Sequence, residues 1–143
     1  MSRLVDLRGV SRVYGQGESA VHALRDVTFG MAPGEFVSVV GPSGSGKSTL
    51  LHLVGLVDSP TAGEQRFEGR DVARLPERER SKLRLHRLGF IFQQFFLLPM
   101  LDARENVELP MGEAGVPRRE RRERAEALLR RVGLAHRMDH YPT

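Results

Sequence analysis

Apolar and polar positions alternate roughly over residues 3–13, the pattern of a strand with one face in solvent. Tyr14 ends that run, and Gly15-Gln16-Gly17-Glu18-Ser19 reads as a turn. Val27, Phe29 and Met31 alternate in the next run, so residues 21–32 predict a second strand paired with the first and closed by Pro33-Gly34. Phe36–Val40 is a continuous apolar run of strand-favouring residues, which predicts a strand buried on both faces. Period 3.6 takes over after it: Leu50, Leu51, Leu53 and Val54 predict a helix over about 48–57. Turn formers crowd residues 58–63, and a short strand is expected through Phe67 to Gly69. The polar run 77–87 behind Pro76 predicts a short, mostly solvated helix, and Leu88–Phe92 a further buried strand ending at Gln93. Asp102 with Glu105 three positions on marks a helix start, predicting a helix from Ala103 to Leu109 stopped by Pro110. A last helix opens near Pro117, sets Ala125, Leu128, Leu129 and Val132 on one stripe, and meets Gly133 as its terminator. Two strands that meet, followed by buried ones interleaved with helices, predict an α/β fold whose mixed sheet has an antiparallel β edge.

Composition narrows this little, except in its charge. With 143 residues, 40% hydrophobic and 28% charged, the chain has ordinary globular content and room for one core. The longest apolar stretches fall far short of the ~20 residues that cross a bilayer, and no signal-peptide core opens the chain, so a cytoplasmic location is expected. The absence of cysteine removes disulfides, thiolate chemistry and zinc-finger spacing. The net charge of +4 lies wholly in residues 117–131, which hold seven Arg and three Glu. Such a segment fits nucleic acid or anionic lipid, but interleaved Glu120, Glu123 and Glu126 favour a solvated face laced with ion pairs. His136 and His140 are four apart, yet no general base or third ligand accompanies them.

The chemistry is concentrated between the predicted buried strand and the first helix. Gly41-Pro42-Ser43-Gly44-Ser45-Gly46-Lys47-Ser48 satisfies G-x-x-x-x-G-K-[ST] at every fixed position, with the strand before it and the helix after it that the pattern requires. Glycines let the backbone curl into a nest of inward N–H groups, and the helix adds its partial positive end. Lys47 can reach terminal phosphates, and the Ser48 hydroxyl can ligand magnesium. Of 22 cationic residues only Lys47 and Lys82 are lysines, so the loop keeps a compact point charge in a chain otherwise committed to arginine. A loop of this kind binds a nucleoside triphosphate.

Taken with Val21–Val27, Gly34-Glu35-Phe36, Gly89-Phe90-Ile91-Phe92-Gln93, Leu97-Leu98-Pro99 and Arg104-Glu105-Asn106-Val107, the sequence resembles the ATP-binding subunit of ABC transporters. The resemblance is to the branch serving lipoprotein release, macrolide export and cell division, and it covers essentially the whole chain. It implies a P-loop NTPase-type cassette, with residues 1–92 as ATP-binding core and 93–143 as the Q-loop and the start of an α-helical subdomain. It also implies ATP and Mg2+ as cofactors, held by Gly41, Pro42, Ser43, Gly44, Ser45, Gly46, Lys47, Ser48 and Thr49. Tyr14 would stack on the adenine, its alternative being a core aromatic at a strand end. Gln93, with Lys47 the catalytic candidate, would join Ser48 at the magnesium and approach the attacking water. An exposed loop amide is the plain alternative, and Gln94 leaves the register open.

The run Phe95-Phe96-Leu97-Leu98 with Met100 and Leu101 would receive a helix of a transmembrane permease, or would pack the helical subdomain. The resemblance further implies a homodimer of cassettes, peripheral on the inner face of the membrane, that couples ATP hydrolysis to export or lipoprotein extraction. In the family, Tyr141-Pro142 precedes a Leu-Ser-Gly-Gly-Gln signature, so the chain is expected to be the front portion of a cassette, its C-terminal part missing. It would hold the binding half of the site and hydrolyse ATP negligibly alone. Two alternatives accompany this reading: an ABC-type ATPase acting in DNA repair or translation, and an Arg-rich nucleic-acid-binding module.

Overall fold

A computed structural model describes residues 3–143. The chain divides by packing into two compact units, the first ending at Arg84 and the second running Leu85–Thr143.

In the first unit, β1 (Val5–Tyr14) is flanked by β2 (Val21–Met31) and β3 (Ala62–Phe67), with a two-residue β4 (Arg70–Asp71) beyond β3. Every pairing is antiparallel, in the order β2-β1-β3-β4. The register carries one irregularity that matters for the site. Leu7 opposes Phe29 and Val10 opposes Val27, while Arg8 opposes Glu64 and Ser11 opposes Ala62, so β1 holds one extra residue against both neighbours. Gly9, at φ 55°, lies in that bulge. Side chains alternate across a strand, so an extra residue switches parity. Val5 and Leu7 share the core face before the bulge, and Val10 shares it after. Arg12 and Tyr14 follow Val10 onto that same side.

The core of this unit joins Val5, Leu7, Val10, Leu24 and Phe67 of the sheet to Leu53, Leu56 and Val72, all buried. Helix α1 (Lys47–Val54) supplies Leu53 and lies against β2. Buried Gln65 ties the sheet to the end of α1, its Nε2 donating to the Leu53 carbonyl at 2.6 Å. Helix α2 (Glu77–Arg87), in the polar run where the sequence places it, fastens itself by arginines. Arg84 donates to the Leu56 carbonyl at 2.7 Å, and Arg80 to the Ser59 hydroxyl.

In the second unit, α3 (Ala103–Glu113) packs on α4 (Arg118–Arg131), burying Ala125 and Leu129. The α3 start is a full capping box: Asp102 accepts from the Glu105 N–H at 2.7 Å, and Glu105 from the Asp102 N–H at 2.9 Å. Helix α4 ends in a Schellman motif. Gly133, at φ 78°, donates to the Arg130 carbonyl, and Leu134 to that of Leu129. Its charges are paired along the helix surface: Arg119 to Glu123, Arg122 and Arg130 to Glu126, and Arg124 to Glu120.

Four expectations are corrected here. Residues 36–40 and 88–92 are not buried strands; among the described residues they join no sheet, and Phe36 and Ile91 are fully exposed. An apolar run becomes a strand only against a hydrogen-bonding neighbour, and none of the described segments pairs with them as a strand. Pro110 does not stop α3, which continues to Glu113; it lacks a donor, but its carbonyl still accepts from Ala114 at 3.1 Å. The strand expected through Phe67 to Gly69 instead runs Ala62–Phe67, where its pairing with β1 reaches back into the run of turn formers.

Candidate functional site

The phosphate-type loop lies in the first unit, between the unpaired segment 36–40 and α1. Its glycines hold backbone that other residues rarely adopt: Gly44 has φ 78° and Gly46, the residue capping α1, φ 88°. A Cβ at Gly46 would stand 2.6 Å from the Ala23 carbonyl oxygen and 3.0 Å from a Leu24 methyl, so the loop is pressed onto β2 and only glycine fits. At Gly41 a Cβ would meet Ser45 Oγ at 2.9 Å. The loop closes on itself through Ser45 N–H to the Pro42 carbonyl at 3.3 Å. Lys47 Nζ reaches the same carbonyl at 2.6 Å, which places its ammonium over the loop.

Helix α1 begins with the Gly46 carbonyl accepting from Leu50 at 2.9 Å. Gly46 has no side chain with which to cap, so the first-turn N–H groups of Lys47, Ser48 and Thr49 are donors without a side-chain cap. Those donors and the Lys47 ammonium form a cationic rim that fits a polyphosphate, and the exposed Ser48 hydroxyl adds an oxygen able to ligand its magnesium. Pro42, Ser43 and Ser45 line the exposed part of the loop.

Tyr14 lies at the end of β1, with 37% of its surface exposed. It is not a sealed core aromatic. Its hydroxyl donates to Asp58 at 2.8 Å, and the Arg12 guanidinium covers one ring face at 4.5 Å from the centroid. Arg12 also grips both Asp58 oxygens, each at 2.8 Å. Burial pushes the Asp58 carboxyl up, but the Tyr14 hydroxyl, the Ser59 N–H and the Arg12 charge outweigh it and hold the group below the usual carboxylate range. Sequence reasoning missed Arg12 and Asp58. The first was legible as a residue two before Tyr14, hence on its face of the strand; the second is a lone acid among turn formers.

Gln93 and Gln94 lie in the second unit and are both exposed. Phe95, Phe96, Leu97, Leu98 and Met100 are exposed too, so core packing does not account for the run. It nonetheless makes specific contacts. Phe90 stacks on Phe92 at 5.5 Å, Phe96 meets Phe92 edge-on at 5.1 Å, and the Asn106 amide fastens Leu98 through both its N–H and its carbonyl. Among the described residues no helix is long and apolar enough to cross a membrane.

A glycine loop pressed onto β2 at the start of α1, with Lys47 over the Pro42 carbonyl, defines a P-loop nucleotide-binding fold. The chain belongs to the ABC transporter family, whose profile matches residues 24–143. It is 49% identical over 142 residues to an uncharacterized ABC transporter ATP-binding protein of Thermotoga maritima, covering 99% of this chain and 61% of that one. It is 48% identical to the macrolide export ATP-binding/permease protein MacB of Marinobacter nauticus, covering 97% of this chain and 22% of MacB. The solved ATP-binding cassette MJ0796, a dimer in a post-hydrolysis state bound to ADP and Pi, superposes with a TM-score of 0.84 at 42% identity, covering 96% of this chain and 61% of that one. The chain thus spans about three fifths of the length of the single-cassette relatives it matches.

Proposed function

We propose that this chain is the ATP-binding portion of an ABC transporter's nucleotide-binding subunit, coupling ATP hydrolysis to export or lipoprotein extraction through a separate permease. The observation that carries it is the loop itself: Gly46 locked by β2, Lys47 over the Pro42 carbonyl, and an uncapped α1 start. When bound, Mg-ATP would bring the polyphosphate that those donors fit. Lys47 would hold the terminal phosphates, Ser48 the magnesium, and the loop from Gly41 to Thr49 the remaining phosphate oxygens. Tyr14 would receive the adenine. The role of Gln93 at magnesium and attacking water rests on the resemblance alone.

The exposed run from Gln93 to Leu101 is the proposed permease-facing surface. Its aromatic contacts and the Asn106 fastening support a preformed apolar patch rather than a collapsed one. Relatives named as export ATP-binding/permease proteins support the transport reading, and the MJ0796 dimer supports pairing of two cassettes; a place at the inner face of the membrane rests on the resemblance. Residues 1–92 would serve as the ATP-binding core and 93–143 as the Q-loop and part of the helical subdomain. Hydrolysis by the 143 residues alone is expected to be negligible. Phosphoryl transfer depends on fixed geometry, and the segment 36–40 that leads into Gly41 is itself unpaired.

Titration of Mg-ATP into the intact protein tests the assignment. Lys47→Ala is expected to weaken binding at least about tenfold, the loss of one charge-assisted contact, with the circular dichroism spectrum unchanged. Equal affinity in wild type and variant sinks it. Hydrolysis by the isolated 143-residue chain that vanishes in Lys47→Ala would show instead that this half suffices.

A further inference from the structure

The geometry points to Arg12 and Asp58 as positioning residues that set which face of Tyr14 a purine base can use and how far that face stands from the phosphate loop; this rests on the reading of Tyr14 as the base platform. Two independent constraints act on the ring. Arg12 covers one face at 4.5 Å, so a base can stack only on the other. A guanidinium behind the ring also draws on its π density, which favours a flat, polarisable partner in front. Asp58 then fixes the rotation of the ring, because the hydroxyl donates to it at 2.8 Å. The carboxylate cannot drift, since Arg12 holds it by two contacts of 2.8 Å and the Ser59 N–H donates to it at 2.8 Å.

The second half of the inference is where Asp58 sits. Its own N–H donates to the His52 carbonyl at 3.2 Å, and that of Val57 to the same carbonyl at 2.9 Å, so Asp58 is fastened to the last turn of α1. The first turn of α1 carries Lys47, Ser48 and Thr49. A helix of eight residues is about 12 Å long. Base platform and phosphate loop are therefore attached to opposite ends of one rigid element, and the β1 bulge at Gly9 is what brings Arg12 and Tyr14 to the side where Asp58 lies. The ligand class that this ruler fits is a purine nucleoside triphosphate, its base gripped by one end and its phosphates by the other.

The test separates base from phosphate. Affinities for Mg-ATP and for magnesium tripolyphosphate, which has no base, are measured on the intact protein for wild type, Arg12→Ala and Tyr14→Phe. The second variant keeps the ring and removes only the bond to Asp58. The ratio of the two affinities is expected to fall about threefold to tenfold in each variant, with tripolyphosphate binding unchanged. Variants that keep the wild-type ratio overturn the inference and leave the Tyr14 reading standing. Variants that weaken both ligands equally also overturn it, since that is a structural effect. If wild type itself binds ATP no better than tripolyphosphate, the base-platform reading falls and takes this inference with it.

Discussion

Asp58 is a carboxylate whose three partners differ in kind: a phenol, a backbone N–H and a guanidinium. Its folded-state pKa lies below that of an unfolded aspartate, so folding favours the ionised form. The stabilisation is present in full above the unfolded value, about 3.9, and is lost as pH falls through the lower folded value. Asp6 behaves the same way, pulled down by hydrogen bonds from Arg3 and Arg8, as do Glu77 under Arg84 and Glu126 under Arg122. Acid stability of the wild type alone therefore cannot isolate Asp58. The difference between wild type and Asp58→Asn can: urea midpoints should differ by a constant amount from neutral pH to about 5 and converge below about 4. A difference that persists unchanged to pH 3 would mean that the carboxylate charge contributes nothing. At this scale the sequence was informative wherever a residue type has one use. Lys47 in a glycine loop has one, whereas Asp58 among turn formers and Arg12 in a strand have many, and only their meeting at Tyr14 selects among them.

Elements in this chain are held by close backbone approaches as much as by apolar faces. A Cβ at Gly63 would lie 2.4 Å from the Gly9 carbonyl oxygen and 2.7 Å from Val10 Cα, both backbone, and Gly63 itself has φ +92°. Gly69 has a similar φ of +78° with nothing within 4 Å. The pair separates strain from collision. Gly69→Ala should cost only the conformational penalty, about 1–2 kcal/mol, whereas Gly63→Ala should cost at least about 2 kcal/mol more by forcing β1 and β3 apart at the bulge. Equal shifts in urea midpoint would show that the bulge yields freely. The same bulge marks what periodicity can and cannot convey. Alternation located β1 and β2, and the capping pair Asp102 and Glu105 and the terminator Gly133 located the helices, because those signals are local. The parity switch at Gly9 is not local: it exists only because two neighbouring strands must each oppose one residue fewer. Pro110 misled for the opposite reason. A local rule predicts a stop there, and packing of α3 on α4 carries the helix onward.

Over the whole molecule, the apolar runs 36–40 and 88–92 have the composition of buried strands and the surroundings of surface segments. Phe36 is 95% exposed and Val40 84%, and neither run joins a ladder among the described residues. Composition records the environment a sequence is built for, and hydrogen bonding records the one it has. The family relatives extend beyond the matched region, with this chain spanning 61% of the Thermotoga protein and of MJ0796. If the remainder of such a cassette supplies the missing neighbours, the two runs should change state with context while β1 should not. Hydrogen exchange measures this directly. In the 143-residue chain, amides of 36–40 and 88–92 should exchange at nearly the rate of an unstructured peptide, while those of Val5, Leu7 and Val10 are protected by a central strand with ladders on both sides. In a chain extended to the length of those relatives, the two runs should become protected to the level of β1. Slow exchange at 36–40 in the short chain would contradict this, unless it fades on dilution. Protection that depends on concentration would mean that two copies pair their open strand edges, the association that unpaired backbone donors beside exposed phenylalanine and valine invite.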